Sequence, residues 1–310
     1  MRGRKAEFER KLAQTGLWQL LDLLQTLPDE TARLARLCYA ASPASDWLDT
    51  PPEVFFSCAA HARYLRENVS WTRALPEPLF LAYVLHPRVN NEALCDCRPV
   101  FYAALAERLR GLPEEAAILE INRWCAEHVA YQPTDERTRS ALAVLRAGFG
   151  RCGEESMFAV NVLRACGFAA RQVYVPRWAH CDDNHAWVEV RCGGAWHFLG
   201  ACEPEAVLDR GWFNSAAGRA VLVHSRCFGE PEPGADLIGR EGDVVYCNET
   251  ARYADVRRLT VRVTDENGMS AAGADVDFCI LNNCEWYPAA TVQTDAFGMA
   301  ALTCGLGSLR

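Results

Sequence analysis

Gly148-Phe149-Gly150-Arg151-Cys152-Gly153-Glu154-Glu155-Ser156 closes a polar linker and opens a helix. The residues that follow, Met157, Phe158, Val160, Val162, Leu163 and Cys166, are apolar and cover most of a helical surface, which marks the helix as buried. Gly167 stands where a left-handed cap residue ends a helix. Gly148, Gly150 and Gly153 allow a bend with close backbone approach. A cysteine at a helix N-terminus meets the positive end of the macrodipole and free backbone N–H groups, and both favour thiolate. Glu154 and Glu155 suit the first turn but oppose ionisation of Cys152, so the sequence calls for a cationic partner.

Further on, Asp182-Asp183-Asn184-His185-Ala186-Trp187-Val188-Glu189-Val190 alternates in strand fashion from His185. Gly193-Gly194 makes a hairpin turn, and Trp196-His197-Phe198-Leu199 returns as a second strand. A cysteine at a helix start, a histidine at a strand start and an acid after the next strand form a Cys-His-acid arrangement. The Gly-x-Cys-Gly-Glu-x-Ser motif, followed by Asn-His-Ala-Trp-Val-Glu-Val and a Trp-initiated strand, resembles the transglutaminase-like superfamily. That papain-related fold includes transglutaminases, proteases and peptide N-glycanases. The resemblance spans roughly residues 113 to 225.

The resemblance implies acyl transfer. Cys152 attacks a carboxamide or peptide carbonyl, His185 forms an ion pair with the thiolate and then protonates the leaving amine, and an acid orients His185. Relatives usually place an Asp four residues after the strand's Trp, a position held here by Gly200. Glu203-Pro204 is the replacement if the strand runs three residues longer, with Glu205 and Asp209 in reserve and an acid-free diad as another arrangement. The expected site is therefore Cys152, His185 and Glu203, with no cofactor and no metal. His180, Cys181, Asp182 and Asp183 crowd one loop, but four neighbouring residues cannot easily surround an ion. The Cys152 N–H is one oxyanion donor; Trp178 is a candidate for the cleft wall.

The totals set limits. The chain has 310 residues, half of them apolar and 23% charged, an ordinary globular composition with room for two or three domains. A net charge of −8 argues against nucleic acid and offers no basic face to a membrane. No apolar run reaches the roughly 18 residues of a membrane span. The charged N-terminus has no apolar signal core, which points to the cytoplasm unless a signal has been trimmed. Fifteen cysteines, without a CxxC pair, read as reduced, mostly buried thiols; Cys95-Asp96-Cys97 is the one close pair.

The expected class is α+β: a helical region over 1–112, a papain-like catalytic domain over 113–250 with a helix packed on antiparallel sheet, and a partial β-sandwich over 256–310. Residues 1–50 and the stretch after Pro51-Pro52 have helical periodicity, and His61 reads as packed or surface. Residues 68–100 read as loop-rich. Within them, Arg88-Val89-Asn90-Asn91-Glu92 resembles a segment preceding the core in bacterial relatives; it either lines the cleft or forms a polar inter-domain turn. Helices follow near 99–109, from Glu114 through Val129, where the run Ile121–Tyr131 resembles the family's first core helix, and at 141–145, with His128 structural. Ala169–Pro176 and Ala220–His224 read as strands, and 229–242 as a surface loop. From Arg257 the alternation and the Glu266-Asn267-Gly268 turn resemble a carboxypeptidase-regulatory β-sandwich. The ending Gly305-Leu306-Gly307-Ser308-Leu309-Arg310 reads as interrupted.

The expected function is a cysteine hydrolase or acyltransferase on peptide or amide bonds, with hydrolysis the expected outcome and a peptide or protein as partner. Two alternatives stand beside it. Trp196 and Cys202-Glu203 resemble the peptide N-glycanases, although zinc-binding cysteine pairs are absent. The third reading is an inactive binding module.

Overall fold

The computed structural model describes residues 2–135 and 137–307; Ser308, Leu309 and Arg310 of the ending discussed above lie outside the described residues. The protein is of mixed α and β structure. Helices occupy most of Arg2–Asn68, then Arg98–Leu109 and Glu114–His128. The strands are β1 (Ala130–Tyr131), β2 (Phe149–Gly150), β3 (Ala170–Val175), β4 (His185–Cys192), β5 (Ala195–Leu199), β6 (His224–Phe228), β7 (Leu237–Glu241), β8 (Val244–Asn248), β9 (Val256–Arg262), β10 (Asp275–Asn282), β11 (Glu285–Gln293) and β12 (Met299–Gly305). A six-stranded sheet in the order β5-β4-β3-β6-β8-β7 carries the core, with every pairing antiparallel.

The helix Cys152–Ala165 packs on β3 and β4. Met157, Phe158, Val160 and Val162 are fully buried, in one cluster with Val188 and Val190 from the sheet and Ile118, Ile121 and Phe101 from neighbouring helices. Its C-terminal turn docks on the N-terminal region. Gly167 has φ +89°, and a Cβ there would lie 2.1 Å from Thr72 Oγ1, which donates to the Gly167 carbonyl at 2.8 Å. Only glycine combines that conformation with that approach.

The register sorts the sheet residues by face. Gln172, Tyr174, Ala186, His224, Arg226 and Tyr246 are cross-strand neighbours or alternate with them, so they share the face that holds the Cys152 helix. The opposite face bears Arg171, Glu189, Cys227, Val245 and Glu249, and the N-terminal helices cover it through Tyr83 and Leu85. Arg171 is sealed there between Glu189 and Glu249 beneath Trp196, while Glu189 also accepts from Arg252 Nε at 2.7 Å and Tyr253 Oη at 2.6 Å.

Three stretches differ from the sequence expectation. Within 68–100, Ser70–Ala74 and Glu77–Phe80 are helical, and Leu81–Leu85 continues as a π-helix. Pro76 and Pro78 sit at the N-cap and the first turn, where the missing N–H costs nothing. The strand expected at 220–224 instead covers His224–Phe228. Ala220 and Val223 fill an apolar cluster with Trp187 and Phe213, and ladder pairing begins only where β3 and β8 are in reach. The expected surface loop 229–242 contains β7, an edge strand on β8.

The C-terminal region forms two antiparallel pairs, β9 with β12 and β10 with β11. The β10–β11 turn holds Asn283 and Cys284 at φ +51° and +60°, as a tight hairpin of the right-handed twist requires. Asn282 Nδ2 donates to the carbonyls of Trp178 (3.0 Å) and Cys181 (2.8 Å), and the Asn283 N–H donates to Asp182 Oδ1 at 2.7 Å. The hairpin tip is thereby fixed to the loop that leads into His185. All fifteen cysteines are free thiols. Among the described residues no helix is long and apolar enough to cross a membrane.

Because Glu189 balances two guanidinium groups in a fully buried site, Glu189→Gln leaves positive charge uncompensated. Urea unfolding followed by circular dichroism should show a loss of about 3 kcal/mol, the cost of removing one partner from a buried charge cluster.

Candidate active site

Cys152 is the first residue of its helix, half-buried, and opens on a cleft of about 1390 Å³. Glu154 closes the helix start. It is fully buried and accepts from the Arg151 N–H (3.3 Å), Thr134 Oγ1 (2.7 Å) and Arg139 Nε (2.7 Å). The predicted first-turn acid thus ties the 132–139 approach segment to the helix. Gln172 supports the same turn from β3, donating to the Gly153 carbonyl at 2.9 Å and to Ser156 Oγ at 2.7 Å. Asn90 Nδ2 in turn donates to Gln172 Oε1 at 2.7 Å.

Asn90 lies in the Arg88–Glu92 segment, and that segment lines the cleft. Buried charges hold it there. Arg88 Nε donates to Asp46 Oδ2 at 2.7 Å, and Arg164 donates to the carbonyls of His86 and Arg88. The Glu92 carboxylate accepts from the N–H groups of Val89 and Asn90 at 2.8 and 2.7 Å. Of the two sequence readings, cleft wall and inter-domain turn, the first describes its position.

The backbone N–H groups of Ala186 and Gly153 lie near the Cys152 sulfur and favour its ionised form. His185, next to Ala186, starts β4 as expected and faces the same cleft, only 8% exposed. Its ring is boxed by Trp212, Phe213 and Trp187 at centroid distances of 4.8, 5.1 and 5.8 Å. Burial among these rings lowers its pKa to about 4, although Asp183 pulls upward. Burial also raises the Cys152 thiol. The two N–H contacts oppose this, and Glu155 and Asp183 add to it. Burial thus acts against the charged form of each group, the thiolate of Cys152 and the imidazolium of His185.

Glu203 follows a turn in which Cys202 adopts φ +58°. Asn122, buried on the Glu114–His128 helix, clamps that turn. Its Nδ2 donates to the carbonyls of Gly200 (2.9 Å) and Glu203 (3.1 Å), and its Oδ1 accepts from the Cys202 N–H at 3.0 Å. Glu203 folds back over Gly200, and a Cβ built at position 200 would lie 2.3 Å from Glu203 Oε2. The carboxylate thus fills the space that a side chain on residue 200 would take. Glu203 Oε1 accepts from Trp212 Nε1 at 2.9 Å, while Glu203 Oε2 and His185 Nε2 are buried without a hydrogen-bond partner. Trp212 therefore contacts both the histidine ring and the carboxylate.

The reserve acids are elsewhere engaged: Asp209 Oδ2 is 2.7 Å from His197 Nδ1, and Glu205 pairs with Arg210. Trp178 lines the cleft. His61 bonds the Ala165 carbonyl and His128 bonds the Trp124 carbonyl, so both are structural. Among the described residues no three His, Cys, Asp or Glu side chains converge as a metal site.

Sequence reasoning missed two contributors. Asn122 carried a signal, a lone amide on an otherwise apolar helix face. Trp212 carried none that could be separated from packing. Glu155, expected from the sequence to oppose ionisation of Cys152, does so. Glu155 is buried in the cleft wall beside Cys152, and burial, then Glu203 and Glu154, raise its pKa to about 8.

Residues 103–201 match the family model described as the transglutaminase-like superfamily. No curated protein matches the chain. Among solved structures, one described as a "putative cysteine protease" from Cytophaga hutchinsonii is similar at 15% identity, with a TM-score of 0.35, covering 60% of this chain and 68% of that one. At that TM-score the overlap carries no structural argument. The family match supports a function of the cysteine hydrolase or acyltransferase type.

Two predictions follow from the electrostatics and the turn. Between about pH 4.5 and pH 8 the folded protein keeps the Glu155 proton and the unfolded chain does not, so this group's contribution to stability falls as pH rises. His185 acts oppositely but only below about pH 6.5, where the unfolded ring titrates. Calorimetry should therefore show Glu155→Gln gaining on the wild type by on the order of 5 °C between pH 6.5 and 8. Asn122→Ala leaves buried carbonyls unpaired and should cost about 1–3 kcal/mol in urea unfolding.

Proposed function

Starting from the transglutaminase-like core at residues 103–201, we propose that the protein is a cysteine hydrolase or acyltransferase of peptide or amide bonds, using Cys152, His185 and Glu203. The observation that carries this reading is the Cys152 sulfur at a helix N-terminus, against the amide of the residue that follows His185. In the first step the thiol proton passes to the His185 imidazole as sulfur attacks the carbonyl carbon. The tetrahedral oxyanion takes a hydrogen bond from the Cys152 N–H. The imidazolium then protonates the leaving amine, the C–N bond breaks and a thioester remains. Water or an amine, deprotonated by His185, resolves the thioester and regenerates the thiol.

A neutral resting pair suits this order of events, because the proton moves only when a substrate carbonyl is in place. Glu203 is the acid of the set, supported by its carboxylate standing in the space above Gly200. It reaches the histidine through the ring of Trp212 and steadies the imidazolium electrostatically. The absence of a direct Glu203–His185 bond favours one other reading, a binding module that retains the fold without turnover.

The pH dependence of iodoacetamide alkylation, followed by mass spectrometry, separates the two. Cys152 should be labelled with an apparent pKa above that of an ordinary thiol, and a bound peptide amide should change both the rate and that pKa. Labelling that is indifferent to peptides, and unaltered in His185→Ala, points to the binding module. Once a substrate is found, Glu203→Gln should lower kcat by about 10- to 10⁴-fold, the range seen when an orienting acid is neutralised. Gly200→Asp combined with Glu203→Ala should restore part of the loss.

A further inference from the structure

The Cys152 helix covers only the β3–β4 part of its sheet face. Across β6 and β8 the same face is left open to the cleft and presents Tyr174, His224, Arg226 and Tyr246. These side chains pack against one another, with the His224 ring tilted at 56° and 59° to the two tyrosine rings. His224 lies 4.0 Å from Tyr174 and 5.6 Å from Tyr246, and the Arg226 guanidinium is 5.5 Å and 5.7 Å from the same two tyrosine rings. Arg226 donates one hydrogen bond, from Nη2 to Tyr174 Oη at 3.1 Å. Its Nε is buried without a partner, and so is Nδ1 of His224, a residue only 5% exposed.

Other buried arginines spend their donors, Arg171 on Glu189 and Glu249, Arg88 on Asp46, and Arg98 and Arg164 on backbone carbonyls. Arg226 has no ion pair among the described residues, and neither have two other cleft arginines, Arg177 and Arg240. Arg177 is stacked at 4.4 Å over Tyr287 of the β10–β11 hairpin, which forms the facing wall. The acids of the cleft do not neutralise them. Glu155, Asp183 and Glu203 lie toward the Cys152 end, Glu241 accepts from Tyr246 Oη at 3.0 Å, and Asp275 lines the hairpin side; among the described residues none of them forms an ion pair with these three arginines. The cleft is therefore acidic at the sulfur and cationic where β6, β8 and the hairpin meet. A rigid guanidinium between aromatic faces, with donors left unused, is matched to a planar carboxylate.

We infer that the packed Tyr174–His224–Arg226–Tyr246 face, with Arg177 and Arg240 beside it, is a carboxylate-binding subsite that selects peptides bearing an acidic group on one side of the amide at Cys152. The inference names a substrate class and rests on the cysteine-hydrolase reading for the word substrate, but binding alone tests it.

The test uses the full chain carrying Cys152→Ala, so that binding is read without turnover. Fluorescein-labelled Ala-Ala-Gln-Ala-Ala peptides are compared by fluorescence anisotropy, with Glu, Gln or Lys placed at each alanine in turn. An unsubstituted peptide with a free or amidated C-terminus separates a terminal carboxylate from a side-chain one. At one position, or at the free terminus, the carboxylate peptide should bind about 10-fold more tightly than its amide counterpart, and Lys more weakly than either. Added Arg226→Met should reduce that preference to about 2-fold or less, and added salt should weaken it. Arg240→Ala, on an exposed edge strand, should reduce it several-fold and keeps the test decisive if Arg226→Met does not fold. Equal binding of Glu and Gln peptides at every position, no binding of any carboxylate peptide, or a preference untouched by both variants would overturn the subsite. Alkylation of Cys152 in the parent protein is read separately. Acid-selective binding with an inert Cys152 leaves the subsite standing and removes the enzyme; a peptide-responsive Cys152 without acid preference does the reverse.

Discussion

Nearly every residue of the Cys152–Ala165 helix is buried, and that constraint governs the rest of the structure. A helix packed all round cannot rotate or slide without opening cavities, and each lost methylene contact is costly. Its N-terminus is therefore a fixed point, and the elements around it are arranged to satisfy polar groups that burial would otherwise strand. Glu154 takes the N-terminal amides and the approach segment, Gln172 takes the first carbonyls, and Thr72 closes the far end. The site inherits its geometry from this packing, since Cys152 has the first position on a helix with no freedom to move.

The electrostatics follow from the same burial. The sulfur has backbone amides beside it, and the histidine has aromatic rings on three sides. Burial in both places works against the charged form. Glu155 completes the pattern: a carboxyl in the wall of the cleft whose pKa burial and the neighbouring Glu203 and Glu154 raise to about 8. On the open half of the sheet face, by contrast, arginines stand against tyrosine rings.

What could be read from the residues was what depends on local order. The 152–165 helix shows in its apolar periodicity and its glycine stop, and the β4–β5 hairpin shows in alternation around Gly193-Gly194. The helical turns at 70–85 were hidden because prolines that punctuate a loop also start helices. β7 was hidden because an edge strand needs only one partner and little apolar content. Glu203 could be named from the residue order, but not its place above Gly200, which depends on a left-handed Cys202 and on Asn122, 80 residues away in sequence. Nor could the stacking of Arg226 between tyrosines of two different strands be read, since register across β3, β6 and β8 is a property of the assembled sheet.

The hairpin of β10 and β11 has a bearing on how this protein would tolerate change. Its tip holds the backbone of Trp178 and Cys181 through one asparagine, and its flank supplies Tyr287 to the cleft. The last third of the sheet-forming sequence thus supports the loop that presents His185, although Cys152, His185 and Glu203 all lie outside it. A nick or frayed register in this hairpin would be felt at the histidine before it was felt in the core. Variation that looks peripheral on a map of the chain would then register as altered chemistry, and the tail is better regarded as one jaw of the cleft than as an appendage.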